Sequence, residues 1–258
     1  DYTLPAFANE KTLLILGSYS GNTEETLSVY EQGKAKNCKM IVVSAGGQLT
    51  EWAQKDGIQI YNIETGFQPR MALGYSFTYL LKIFAELINK NIDDQLLASI
   101  EALSDQSYLK DMSQSLQKKF QGHINKKYVI VSDAALEGVA IRFCQQLNEN
   151  SKVEAFWHLL PEANHNVIES YYGKLDTNFI FLNSDSHERV SERFDFLRSL
   201  LEKENNRVAE ISIEEVDIPS IYLLIHQLDW FTIDITEPLN VDPMLIDNII
   251  SLKDYLSA

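Results

Sequence analysis

The sequence of 258 residues is 45% apolar, which is enough to fill one large hydrophobic core or two ordinary ones. Its 37 acidic and 22 basic side chains give a formal net charge of −15, which argues against non-specific binding to nucleic acid or to an anionic membrane. No apolar stretch approaches the roughly 20 residues that cross a bilayer, and the first residues lack the basic and apolar zones of a signal peptide. We therefore expect a globular, cytoplasmic protein that binds neither nucleic acid nor membrane.

The two cysteines, Cys38 and Cys144, lie far apart in the sequence and have no metal-ligand spacing. This pattern favours neither a disulfide framework nor a zinc site. We expect both thiols to be reduced and packed in the interior, and we predict no metal.

Seven apolar segments of strand length recur along the chain. They are residues 12–16, 40–44, 58–63, 128–132, 153–158, 178–182 and 207–213. Helix-length amphipathic segments lie between most of them. This alternation predicts βαβ units, and hence an α/β protein whose parallel sheets are covered by helices on both faces.

The alternation occurs twice, which predicts two domains. Residues 72–120 lack a convincing strand pattern and have helical apolar spacing, so we interpret them as a long helical connection. We place the domain boundary near Gly122, with a first domain of residues 1–121 and a second of residues 122–258. The second domain ends in two predicted helices, residues 219–231 and 243–256.

The loop after the first predicted strand is rich in hydrogen-bonding groups. It reads Gly-Ser-Tyr-Ser-Gly-Asn-Thr at residues 17–23 and leads into a predicted helix. Such a loop lies at the carboxyl edge of a parallel sheet, where open α/β folds bind ligands, and the helix N-terminus attracts phosphate. Ser18, Ser20 and Thr23 add hydroxyl donors, but the loop has no lysine or arginine. This composition favours an exchangeable phosphomonoester over a permanently bound nucleotide.

A purely structural explanation of this region stays open. Asn22 would then be the helix N-cap, and Glu25 would complete a capping box three residues later. Gly46 and Gly47 follow the strand at residues 40–44. They form either a second turn beside the ligand or a tight turn with no further role.

Four segments, in order along the chain, resemble those of the bifunctional phosphoglucose/phosphomannose isomerases. They are SYSGNTEETL at 18–27, GFQPRMALGYSF at 66–77, QQLNENSKVEAFW at 145–157 and PEANHNVIE at 161–169. The resemblance spans nearly the whole chain and implies two SIS (sugar isomerase) domains in tandem. It implies a cofactor-independent interconversion of glucose 6-phosphate or mannose 6-phosphate with fructose 6-phosphate through a cis-enediolate. The alternative is a non-catalytic, phosphosugar-binding sensor.

The resemblance also implies roles for individual residues. The hydroxyls of Ser18, Ser20 and Thr23 would bind the phosphate. The residues implied at the reacting carbons and the sugar ring are Arg70 beside C1 and C2, Glu149 as the catalytic base, and His165 with Lys253 as the ring-opening pair. The family's histidine comes from the neighbouring subunit, which implies a homodimer.

Each assignment has a structural alternative. Glu149 could be a solvated residue at a helix end, and His165 could cap a short helix. Arg70 could form a surface ion pair with Glu64, and Lys253 could simply face solvent on a terminal helix. Family members also begin with a further segment that contributes a Gly-Gly-Ser loop to the phosphate site. The sequence has no counterpart of it, so we expect either a fragment or a naturally short protein whose phosphate pocket lacks one wall.

Overall fold

The computed structural model describes residues 2–256, and it describes residues 106 and 107 by their backbone alone. The chain divides into two compact units, Asp1–Ile92 and Asp93–Ala258. Each unit contains one parallel sheet with helices packed against it. The predicted α/β class is confirmed.

The first unit is a three-stranded parallel sheet with strand order β1-β2-β3. Its elements are β1 (Leu13–Ser18), α1 (Glu24–Ala35), β2 (Lys39–Ser44), α2 (Gly47–Asp56), β3 (Gln59–Asn62), a 3₁₀ helix (Pro69–Ala72) and α3 (Leu73–Leu87). Neighbouring residues of β2 point to opposite faces of the sheet. Val42 therefore packs in a cluster with Tyr30 and Leu49, while Val43 packs in another with Ile63 and Ile83. The sheet is thus buried on both faces.

The second unit is a four-stranded parallel sheet with strand order β5-β4-β6-β7. Its helices are α4 (Asp93–Ala102), α5 (Gln106–Lys119), α6 (Glu137–Glu149), α7 (Glu188–Lys203), α8 (Ile218–Asp234), α9 (Thr236–Leu239) and α10 (Asp247–Leu256). Its strands are β4 (Lys127–Ser132), β5 (Ala155–Leu159), β6 (Thr177–Asn183) and β7 (Arg207–Ser212). Three 3₁₀ helices lie at Ala134–Leu136, Glu162–His165 and Val167–Ser170. Every predicted strand is present, with ends that differ by no more than two residues.

The division between the units differs from the predicted boundary near Gly122. The segment before Gly122 is helical, as predicted, but α4 and α5 pack against α8 and so belong to the second unit. Ser113 on α5 donates a hydrogen bond to the Asp234 carboxylate at 2.6 Å. The ammonium of Lys110 also lies 4.2 Å from the centre of the Trp230 ring. These contacts join residues that are far apart in sequence.

The last helix begins later than predicted. It starts at Asp247 rather than at Pro243. The Asp242 carboxylate accepts a hydrogen bond from the backbone N–H of Met244 at 2.7 Å, which stabilises a turn where the helix was expected. The segment that joins α9 to α10 is therefore a loop with a turn at residues 243–244.

Both cysteines are buried, as predicted, and both are free thiols in the structure. Burial raises the pKa of the Cys144 thiol to about 12. Within residues 2–256, no helix is long and apolar enough to cross a membrane, and no group of three or more acidic, histidine or cysteine side chains is placed to hold a metal ion.

Candidate functional site

Hydrogen bonds to its own hydroxyl groups hold the loop after β1 together. The Ser18 and Thr23 hydroxyl oxygens lie 2.8 Å apart. The backbone N–H of Gly21 donates to the Ser18 hydroxyl at 3.1 Å, and that of Asn22 donates to the Ser20 hydroxyl at 3.2 Å. Ser18 is buried, whereas Ser20 and Thr23 are exposed. The structure thus brings the three predicted phosphate-binding hydroxyls into one short loop.

The loop after β2 packs directly against the loop after β1. The backbone N–H of Leu49 donates to the Gly21 carbonyl at 2.9 Å, and that of Gln48 donates to the Asn22 side-chain oxygen at 3.0 Å. A Cβ atom at Gly21 would lie 1.7 Å from the Gly46 carbonyl oxygen. A Cβ atom at Gly47 would lie 2.2 Å from the Ser20 carbonyl oxygen. Only glycine at residues 21 and 47 permits this close packing of the two turns.

The capping explanation of the first loop is wrong. Helix α1 begins at Glu24, and its N-cap is Thr23, which forms no side-chain capping hydrogen bond. The Asn22 side chain binds the start of α2 instead of capping α1. The first turn of α1 therefore receives no capping hydrogen bond from the Thr23 side chain.

Arg70 lies in the 3₁₀ helix that follows β3, and it is half-buried. The segment before it is fastened to the first loop through Tyr19. The Tyr19 hydroxyl donates to the Glu64 carbonyl at 3.1 Å and accepts from the backbone N–H of Phe67 at 2.8 Å. The Glu64 carboxylate accepts a hydrogen bond from Tyr75, which raises the pKa of that phenol. Arg70 thus follows a segment that is tied to the loop of Ser18 and Ser20.

Glu149 is the last residue of α6 and is half-buried. It lines a groove of about 480 Å³ in the second unit, together with Leu245 and Ile246 and the first turn of α10. Ile249 lines the same groove, and Lys253 lies four residues later on the same face of α10. The structure therefore brings the helix of Lys253 to the groove of Glu149.

The residues beside Glu149 anchor the end of α6. The Asn148 side-chain oxygen accepts a hydrogen bond from the backbone N–H of Ala155 at 2.9 Å. The Asn150 side chain donates to the Thr232 hydroxyl on α8 at 3.0 Å. The two asparagines thus fix the backbone on either side of the carboxylate.

His165 ends a 3₁₀ helix that follows β5, and its side chain is exposed. The capping role that was its structural alternative belongs to Asn166, whose side-chain oxygen accepts from the N–H of Val167 at 2.6 Å. Asn164, on the other side, accepts a hydrogen bond from the Arg193 guanidinium at 3.1 Å. The histidine is therefore presented to solvent between two anchored neighbours.

Glu149 and His165 lie at opposite edges of the second sheet. The end of α6 is bonded to Ala155, the first residue of β5, whereas His165 follows the far end of that strand. A strand of five residues is about 15 Å long. One copy of this unit therefore does not bring these two side chains together.

The carboxyl edge of the second sheet contains a buried carboxylate that was not singled out in the sequence. The crevice between β4 and β6 is the point where the connections leave in opposite directions. There the Asp133 carboxylate, 2% exposed, accepts hydrogen bonds from the N–H groups of Ala135, Leu136 and Ser184 and from the Ser184 hydroxyl. These four donors are therefore already satisfied by a side chain of the protein itself.

Comparison with known proteins identifies the family. The model of the bacterial phospho-glucose isomerase C-terminal SIS domain matches residues 110–256. A bifunctional phosphoglucose/phosphomannose isomerase of Caldicellulosiruptor bescii is 36% identical over 270 residues, which cover 100% of this chain and 80% of that protein. The chain belongs to the bifunctional phosphoglucose/phosphomannose isomerase family.

Two further relatives extend the comparison. The bifunctional phosphoglucose/phosphomannose isomerase of Thermoplasma acidophilum is 30% identical over 100% of this chain and 80% of its own length. A D-glucosamine-6-phosphate 4-epimerase of Sulfolobus acidocaldarius is 36% identical over 67% of this chain and 55% of its own length. The family thus has a similar relative that is named for a different reaction.

Solved structures support the SIS fold of this family member. A glucosamine-6-phosphate deaminase of Thermotoga maritima matches with a TM-score of 0.72 and 16% identity, over 93% of this chain and 74% of the other. A protein of Clostridium difficile named as a putative phosphosugar isomerase matches with a TM-score of 0.69 and 16% identity, over 93% of this chain and 74% of the other. At this identity the likeness shows the fold alone.

Two residues near the site of this isomerase family member were missed by the sequence analysis. They are Lys152, which bonds to the end of α6 and to Leu245, and Arg193, which bonds to Asn164. Lys152 stands inside the quoted segment at 145–157, but a lone lysine there gives no signal. Its partner at residue 245 cannot be inferred from local spacing.

Proposed function

We propose that this protein interconverts glucose 6-phosphate and mannose 6-phosphate with fructose 6-phosphate, without a cofactor. The observation that carries the proposal is the 36% identity, along the whole chain, to a relative named for both isomerase activities. The reaction would serve carbohydrate metabolism in the cytoplasm, in glycolysis and gluconeogenesis. The reaction needs donors for a phosphate and a carboxylate that moves a proton. The hydroxyl-rich loop of the first unit offers the donors, and Glu149 in the groove of the second unit offers the carboxylate.

The phosphate is bound by the paired loops of the first unit. The hydroxyls of Ser18, Ser20 and Thr23 donate to its oxygens, and the turn of Gly46 and Gly47 lets the backbone approach it closely. A net charge of −15 opposes an anionic ligand over long range, so these short-range donors supply the affinity.

The isomerisation moves one proton between two carbon atoms. The Glu149 carboxylate takes the proton from C2 of the open aldose, and the electron pair forms the enediolate double bond between C1 and C2. The Arg70 guanidinium stabilises the negative charge on the enediolate oxygen. Glu149 then returns a proton to C1 while the hydroxyl proton of O2 passes to O1, so that the C2–O bond becomes the carbonyl of the ketose. Rotation about C2–C3 lets either C2 epimer present its proton to the same carboxylate.

Ring opening uses His165 and Lys253 as a pair that protonates the ring oxygen and removes the proton of the C1 hydroxyl. In this proposal the histidine comes from the neighbouring subunit of a homodimer. The separation of Glu149 from His165 across β5 supports this arrangement, because a single copy of the second unit keeps them apart.

The test of the proposed function is turnover of fructose 6-phosphate in deuterated water, followed by nuclear magnetic resonance. We expect the aldose 6-phosphates to appear with deuterium at C2. Glu149→Gln should lower the rate by about 10³-fold while leaving affinity for the sugar phosphate nearly intact. Glu154→Gln is the matched control, because Glu154 is exposed and its ion pair with Lys127 lies on the surface.

Two results would contradict the proposal. Binding of fructose 6-phosphate without formation of any aldose would favour the phosphosugar sensor. Conversion of glucosamine 6-phosphate, but not of fructose 6-phosphate, would point to the activity for which the Sulfolobus relative is named. A Glu149→Gln variant with a near-normal rate would remove that residue from its role.

A further inference from the structure

Lys152 connects two chain segments of the second unit that carry proposed catalytic residues. Its ammonium donates a hydrogen bond to the backbone carbonyl of Glu149, at the end of α6. It also donates to the backbone carbonyl of Leu245 at 2.6 Å. Leu245 lies two residues before α10 begins at Asp247. One side chain therefore joins the helix of Glu149 to the segment that leads into the helix of Lys253.

The backbone of Lys152 is held in an uncommon conformation. Its φ of 56° lies in the left-handed region, which is unfavourable for a residue with a Cβ atom. The neighbours on both sides are anchored, since the Ser151 hydroxyl donates to the Thr232 carbonyl at 2.7 Å and the N–H of Val153 donates to the Leu147 carbonyl at 3.3 Å. Such a conformation persists only where the surrounding structure fixes it, and it often marks a functional position.

All ten residues of α10 are exposed, and its large apolar side chains Leu252 and Leu256 are more than half exposed. A segment with few buried contacts opens locally at low cost. Hydrogen bonds from a charged donor to backbone carbonyls therefore make a relatively large contribution to its position.

We propose that Lys152 is a positioning residue, which fastens the segment before α10 to the end of α6 and so keeps Lys253 in register with Glu149 across the groove. The inference rests on the proposed function, in which both side chains act on one sugar. A displacement of about 1 Å between two groups that share a substrate can lower a rate substantially. The predicted effect is therefore on kcat more than on KM.

The experiment compares three variants of the full chain. Lys152→Met keeps the length of the side chain but removes the charge and the donors, and Lys152→Arg keeps both. Lys203→Met is the matched control, because Lys203 is an exposed lysine at the end of another helix, α7, and the charge change is the same. Each variant is measured for kcat and KM with fructose 6-phosphate and for hydrogen exchange of the backbone amides of α10.

For Lys152→Met we expect exchange in α10 to accelerate about tenfold, with α7 and α8 unchanged, and kcat to fall about tenfold with a smaller change in KM. Lys152→Arg should restore both, and Lys203→Met should alter neither. Unchanged exchange in α10 would overturn the proposal whatever the turnover. Faster exchange throughout the second unit would reduce Lys152 to a stability role, and a rise in KM at constant kcat would make it a direct binding residue; either result would overturn the proposal.

The measurement also separates this inference from the proposed function. If the unaltered chain isomerises no sugar phosphate, the proposed function fails, and a positioning role in that reaction fails with it. If the chain is active and Lys152→Met behaves like Lys203→Met, only the inference about Lys152 fails.

Discussion

Single residues in the first loop perform two tasks at once. The Ser18 hydroxyl approaches Thr23 and accepts from Gly21, and the Ser20 hydroxyl accepts from the N–H of Asn22. An oxygen that accepts a backbone hydrogen bond still has its own proton to donate. The bonds that hold the loop therefore leave Ser20 able to donate to a phosphate oxygen.

Replacement of Ser20 by alanine tests this donor. We expect Ser20→Ala to weaken the affinity for fructose 6-phosphate about tenfold, because a hydrogen bond to a charged acceptor is lost, with little effect on the free energy of unfolding. Calorimetric titration measures the affinity. Ser28→Ala is the control, since Ser28 lies on α1, outside the loop, and its hydroxyl donates to the Tyr2 carbonyl. Equal affinities for Ser20→Ala and the unaltered chain would return the loop to a structural role.

At the scale of elements, the close contact of the two loops makes the turns after β1 and β2 one rigid feature. The contact depends on glycine at residue 21, where φ is +67° and a Cβ atom would meet the Gly46 carbonyl oxygen at 1.7 Å. Gly57, at the end of α2, has nearly the same φ of +68° but open space around it. Comparing alanine substitutions at residues 21 and 57 therefore separates the cost of the left-handed backbone from the cost of the steric clash between the loops.

We expect Gly57→Ala to lower the free energy of unfolding by about 1 kcal/mol, which is the cost of a left-handed backbone with a Cβ atom. Gly21→Ala should lower it by about 3 kcal/mol, because the loops must also separate, and should abolish measurable phosphosugar binding. Urea unfolding measures both values. Similar losses for the two variants would show that the loops are not held by their contact.

The strands were predictable from sequence, whereas the partners of several helices were not. Alternation of apolar runs located β4 at residues 128–132 because a fully buried parallel strand must be almost entirely apolar. The assignment of α4 and α5 could not be inferred in this way, since their partner, α8, lies more than a hundred residues later. The start of α10 was misjudged because the Asp242 turn depends on a side-chain hydrogen bond that periodicity does not detect.

The same division holds for the candidate site. Chemical type and position after a strand indicated the hydroxyls of the first loop, whereas only the family resemblance indicated Glu149. The contacts of Asn22 with Gln48 and of Lys152 with Leu245 join positions that are far apart in the chain. Such contacts are set by packing, so no pattern within either segment predicts them.

At the scale of the whole molecule, the proposed homodimer, in which the neighbouring copy supplies the histidine, would make activity a property of pairs of subunits. We expect Glu149→Gln and His165→Ala to be nearly inactive when each is purified alone. After the two are mixed and allowed to exchange subunits, half of the dimers should be mixed, and each mixed dimer should contain one intact site. Activity should then recover to about a quarter of that of the unaltered protein.

The control mixes Glu149→Gln with a double variant that carries both substitutions, which can form no intact site. Activity and sedimentation are measured on the same samples. A mixture of the single variants that stays inactive despite verified subunit exchange would place both side chains of a site in one chain.

The Asp133 carboxylate makes the carboxyl edge of the second sheet different from that of the first. In the second sheet, the Asp133 side chain already accepts the hydrogen bonds of four donors at the crevice between β4 and β6. A phosphate could bind these donors only by displacing the Asp133 side chain, which is attached to the same backbone. The repeated architecture therefore does not predict two phosphate sites: the proposed phosphate-binding loop follows the first strand of the first unit, whereas the loop after the first strand of the second unit binds its own side chain.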